Sequence, residues 1–66
     1  MVYRGDVYDA LDMTWQSTRQ VAERVEQTNP RRRAHEAQVW HALDRLAQDG
    51  MAERHRAGST TMWRRI

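Results

Sequence analysis

Val39-Trp40-His41-Ala42-Leu43-Asp44-Arg45-Leu46-Ala47-Gln48-Asp49-Gly50-Met51-Ala52-Glu53-Arg54 reads as a helix, a stop and the start of a new element. Val39, Leu43 and Leu46 recur at spacings of four and three, which aligns them on one stripe of a helix. Gly50 follows at once and suits the left-handed residue that closes a helix. Upstream, Asn29-Pro30 breaks the pattern, because a residue before proline is pushed away from helical geometry. The spacing therefore predicts a third helix over about 32–49, beginning at Arg31 or Arg32.

Working outward, Ser17 and Gln20 have the spacing of a capping box. A second helix is expected over about 18–27, with Val21, Ala22 and Val25 inward and Arg19, Glu23, Arg24 and Glu26 outward. A first helix is expected over about 6–13, capped by Asp6, with Asp9 in its first turn and Val7, Tyr8 and Leu11 as its apolar stripe. Met13 to Gln16 reads as a short extended link. After Gly50 the tail predicts a hairpin over about 51–65. Its arms are Met51–Arg56 and Thr60–Arg65, and the loop holds Gly58 for a positive φ.

A chain of 66 residues is one domain or part of one, and small domains bury a smaller share of their surface than large ones. There is no Phe, so Trp15, Trp40 and Trp63 must supply the large core volumes. Trp63 is expected on the returning strand over the third helix, and Trp15 at the base of the sheet. Trp40 should sit at the core edge, about 100° around the helix from Val39. The absence of Cys removes disulfides and thiolate metal sites. No apolar run approaches the ~20 residues of a membrane helix, and the first residues lack signal-peptide order. A cytoplasmic protein without membrane contact is the expectation.

Charge is uneven. Residues 1–29 carry three Arg against five carboxylates, net −2, whereas residues 30–66 carry eight Arg against four, net +4. All eleven cations are Arg, whose planar fork grips phosphate and guanine edges. An anionic partner is sought on the basic half.

The order helix, link, helix, turn, helix, Gly, hairpin resembles the winged helix-turn-helix. Residues 39–54 are similar to the recognition helix and first wing strand of MarR-like and GntR-like bacterial regulators, and Thr18-Arg19-Gln20-Val21-Ala22-Glu23-Arg24-Val25 to their supporting helix. The resemblance implies a mainly α fold with a small β-hairpin, a partner in double-stranded DNA, and a role as a small bacterial or phage transcription regulator. Two departures stand out. Thirteen residues separate Val25 from Val39, so the turn or the supporting helix is longer than usual, and the extra dimerisation helices of those regulators do not appear.

With Val39, Leu43 and Leu46 inward, the free side of helix three is expected to show Ala34, Ala37, Gln38, His41 and Arg45 to a major groove. Arg31, Arg32 and Arg33 are expected at the start of that helix, where cations oppose the dipole unless a phosphate lies nearby. Arg54, Arg56, Ser59 and Thr60 surround the wing tip, and Thr18 and Arg19 open helix two, where they can hold a phosphate. His35, His41 and His55 are too scattered to suggest a metal site. Ser17 and Ser59 lack a base and an orienting partner, so neither catalysis nor a cofactor is expected. The alternative reading is a winged helix that binds another protein, or a second copy of itself, within a larger assembly, because the fold does not itself imply DNA binding.

Overall fold

A computed structural model describes residues 3–66, so the first two residues of the domain expected over 1–66 lie outside the described part. The elements are α1 (Arg4–Ala10), β1 (Gln16–Ser17), α2 (Thr18–Thr28), α3 (Glu36–Gln48), β2 (Ala52–Ala57) and β3 (Thr60–Arg65). The strands form one antiparallel sheet in the order β1-β3-β2, with Gln16 opposite Trp63, and Trp63 opposite Arg54. Three helices and a wing hairpin are the winged-helix architecture the sequence predicts. The third strand is an addition: Gln16 and Ser17, expected to end a link and cap a helix, also pair with β3.

The predicted stripes form the core. Val7 and Leu11, then Val21, Ala22 and Val25, then Val39, Leu43 and Leu46 are all buried, closed by Ala52 and Trp63 from the sheet. Ser17 and Gln20 make the reciprocal capping box. At the end of α3, Gly50 takes φ +76°, its N–H reaches the Ala47 carbonyl at 3.1 Å, and Met51 N–H reaches the Leu46 carbonyl at 2.9 Å. That pair of bonds is a Schellman motif, which satisfies carbonyls the helix leaves free.

The first helix differs from expectation at both ends. It starts earlier, with Tyr3 at the cap position, so Asp6 lies in its first turn and binds Arg32 at 2.6 Å. It stops at Ala10 rather than 13. The Asp12 carboxylate accepts from the Thr14 N–H and hydroxyl, and on its other oxygen from Arg24 at 2.9 Å. Such local side-chain bonds offer the backbone an alternative to continued helix. Asp9 therefore sits near the C-terminal end of α1, where a carboxylate opposes the dipole. Arg65 offsets this by donating to the Tyr8 carbonyl at 2.9 Å, with its guanidinium over the Tyr8 ring.

The third helix starts at Glu36, not at Arg31 or Arg32. Ala34 is the cause. It is buried in the core, not exposed on a helix face, and its N–H donates to the Glu26 carboxylate at 3.0 Å. Drawing Ala34 inward holds the chain out of helix until His35. The long gap between Val25 and Val39 is thus mostly turn, residues 29–35, since α2 gains only Thr28.

Trp63 joins the parts. Its ring is fully buried, and its indole N–H donates to the Thr18 hydroxyl oxygen at 2.9 Å. Trp40 of α3 meets it edge-on at 5.9 Å between centroids, an arrangement the ring quadrupoles favour. Trp15, by contrast, does not close the base of the sheet. It is 38% exposed and packs beside His55 and under Arg64.

Two outcomes follow from these contacts. Hydrogen bonds from the Thr14 hydroxyl and N–H, then from Arg24, pull the Asp12 pKa from 3.8 down to about 2. The lowered value means Asp12 supports the fold above about pH 4 and loses that support as pH falls through about 2. Asp12→Asn should melt lower than the parent at pH 7, and the gap should close by pH 2, as followed by circular dichroism. Trp63→Phe removes the bond to Thr18 and some ring volume, and should cost about 1–3 kcal/mol in urea unfolding. Trp63→Ala should cost about 3–5 kcal/mol, much of the total expected for so short a chain.

Candidate nucleic-acid interface

The starts of α2 and α3 converge with the wing tip. Between them lies an open groove of 480 Å³, lined by Ser17, Thr18 and Arg19, by Glu36 and Trp40, and by Ser59, Thr60 and Thr61. The two tryptophan contacts set its floor, since Thr18 and Trp40 are the residues that Trp63 holds. The Thr18 oxygen accepts from Trp63, which leaves its O–H available for an outside acceptor. Gly58, at φ +65°, turns the wing so that Ser59 and Thr60 reach the groove.

Arginines sort by what they already hold. Seven of the eleven are in ion pairs among the described residues. Arg54 binds Asp44 at 2.8 Å and lies over the Trp63 ring, so it braces β2 against α3. Arg32 binds Asp6 and covers Tyr3, which fixes the α2–α3 turn to α1. Arg19 pairs with Glu23 at 3.4 Å, and both are largely exposed. Arg45 rests 3.7 Å from Asp49. Exposed pairs of this kind are worth about 0–1 kcal/mol and yield easily to a better anion. Arg65 is committed to the end of α1. Arg31, Arg33 and Arg56 make no ion pair among the described residues.

Two of the three precede the groove residue Glu36 in sequence, and the third pairs across the wing with the groove residue Thr61. Arg31 and Arg33 stand in the turn before α3, outside the helix on which they were expected. Arg56 lies opposite Thr61, a groove residue, and its Nε donates to the Gly58 carbonyl at 3.3 Å. On α3, Ala37, Gln38, His41 and Arg45 are exposed along the side opposite the buried stripe. His41 lies edge-on to Trp40 at 5.6 Å. Arg45 lies more than two turns from the groove end of the helix.

Glu36 and Trp40 are groove residues that sequence reasoning did not assign to the site. Their separation of four puts them on one helix face, but that face became visible only once the start of α3 was placed. Among the described residues no cluster of three or more His, Asp or Glu side chains is arranged to hold a metal ion, and no helix is long and apolar enough to cross a membrane.

No protein-family model matches the chain, and no curated protein matches it. Among solved structures the fold is similar to one of HOP2, described as giving insight into the DNA recognition and protein interaction domains of that protein and its homologous DNA pairing properties. The TM-score is 0.78 and the identity 21%, over 96% of this chain and 97% of that one. At that identity the likeness is one of fold, and it places the chain among winged-helix structures.

Proposed function

We propose that this protein binds double-stranded DNA. The exposed side of α3 enters the major groove, the wing follows the flanking backbone, and α2 braces both. The observation that carries this reading is that Arg31, Arg33 and Arg56 lack ion pairs among the described residues, the first two in the turn that leads into α3 and the third on the wing opposite the groove residue Thr61. Buried or paired arginines describe a scaffold. Cations left free around a helix of major-groove size describe a place for phosphates. Gln38, His41 and Arg45 then face base edges, with Gln38 suited to adenine and Arg45 to guanine. Ser59, Thr60, Thr18 and Arg19 supply hydroxyl and guanidinium contacts to the backbone. The likeness to a HOP2 structure described by its DNA recognition supports the same reading. A small regulator of transcription is the finer form of it, on the resemblance of residues 39–54 to bacterial regulators. The protein acts as a binder rather than an enzyme and works without a cofactor.

A second reading has its own observation. Trp15 and Met13, 38% and 68% exposed, leave apolar surface beside β1. That surface suits a protein partner, as an adaptor winged helix requires.

Fluorescence polarisation with a random duplex separates the two. Affinity should fall steeply with salt, by a log–log slope of about −0.9 per phosphate neutralised. Arg33→Ala and Arg56→Ala should each weaken binding to every sequence and reduce the slope by about one. Arg45→Ala should weaken a preferred site most. No binding at low salt would remove the DNA reading and leave the adaptor, and parental affinity in all three variants would remove this interface.

A further inference from the structure

β2 stands at the edge of the sheet, with β3 on one side and no strand on the other. The wing turn fixes which of its backbone groups face outward. Gly58 and Ser59 make a two-residue turn with Gly58 at φ +65°, so Ala57 and Thr60 close the hairpin as a hydrogen-bonded pair. Bonded and non-bonded pairs alternate along an antiparallel ladder. His55 and Glu53 therefore bond to β3, and the Ile66 N–H, 3.4 Å from the Met51 carbonyl, continues the same series. Arg54 and Arg56 direct their N–H and C=O groups the other way, off the sheet. Among the described residues only their side chains are bonded, Arg54 to Asp44 at 2.8 Å and Arg56 to the Gly58 carbonyl at 3.3 Å. Both residues are exposed, so this length of edge is open to another chain.

The charge along it is positive. Glu53 is taken by Arg64, Arg54 is offset by Asp44, and Arg56 makes no ion pair among the described residues. Residues two apart share a face of a sheet. Arg54 and Arg56 thus stand on one face, and His55 on the other, its ring 5.6 Å from that of the part-exposed Trp15. We infer that the outer edge of β2 is a strand-addition site for an extended acidic segment of a partner protein, with a carboxylate opposite Arg56 and an apolar side chain opposite His55. Main-chain bonds to Arg54 and Arg56 give the affinity, and the alternating side chains give the selectivity. A second copy of this chain is excluded as an antiparallel occupant. Two such copies bond through their outward-facing residues, and every register that does so sets arginine directly against arginine, which is destabilising. The inference goes beyond the DNA reading and meets it only at Arg56.

The test is amide hydrogen exchange, read by NMR on the isotope-labelled full chain. The probe is an end-capped octapeptide of alternating Asp and Val, with its Lys-Val counterpart beside it. At saturation the Asp-Val peptide should slow exchange at the Arg54 and Arg56 amides by roughly tenfold, while the amides of His55 and Ala57, already bonded to β3, change little. Arg56→Glu, once melting shows it folded, should lose the Asp-Val peptide and accept the Lys-Val one. Two further probes on the parent chain carry N-methyl groups on all Asp or on all Val nitrogens, and one of them must lose binding. If both methylated peptides still bind, or the two outward amides exchange as before, the arginines capture charge without adding a strand and the inference is overturned. If random duplex protects those two amides and the peptide does not, the edge belongs to nucleic acid and the inference falls while DNA binding stands.

Discussion

The Trp63 indole sits where the sheet, α2 and α3 meet, and it holds the three in register by different means. Its ring fills the centre of the core, in a chain with no Phe to share that task. Its N–H is bonded to Thr18, so the start of α2 is tied to β3. Its edge meets Trp40, so the start of α3 is tied to the same strand. Arg54, opposite it on β2, lies over the ring and reaches Asp44 on α3. A buried polar atom must be satisfied, and a buried ring must be packed. Together these demands leave one relative placement for the two helix starts and the wing. The groove at the surface is the outer side of that junction.

The apolar stripes were legible because helical period and burial are the same information. Val39, Leu43 and Leu46 leave no doubt about which side of α3 faces in, and Gly50 marks where the helix must end. The capping box at Ser17 was legible for a similar reason, being local. What was not legible depends on partners distant in the chain. Ala34 looks like a helix residue by propensity, yet the core and the Glu26 carboxylate claim it, and α3 starts after it. Asp12 looks like a helix residue too, until Arg24, twelve positions on, and Thr14 fix it in a turn. β1 is two residues long and has no strand pattern of its own. It exists because β3 offers an edge.

The same limit applies to the candidate site. Counting arginines shows where positive charge is concentrated, but not which charges are free. Arg32 and Arg54 stood among the candidates on equal terms with Arg33 and Arg56. In the fold the first two are engaged by Asp6 and Asp44 and lie over aromatic rings, while the second two carry no ion pair among the described residues. Pairing depends on geometry across elements, and periodicity does not encode it. The chain thus uses one residue type for two purposes. Several arginines fasten a small, aromatic-poor core from outside, and a few are left over.

The break before α3 reconciles two requirements that a continuous helix could not meet. Had α3 begun at Arg31, three cations would have crowded the positive end of its dipole. With the helix starting at Glu36, the first turn carries an anion, which the dipole favours, and the arginines stand before it in the turn. Ala34 makes this possible by pinning the turn to the core, so the arginines are displayed without the helix having to bear them.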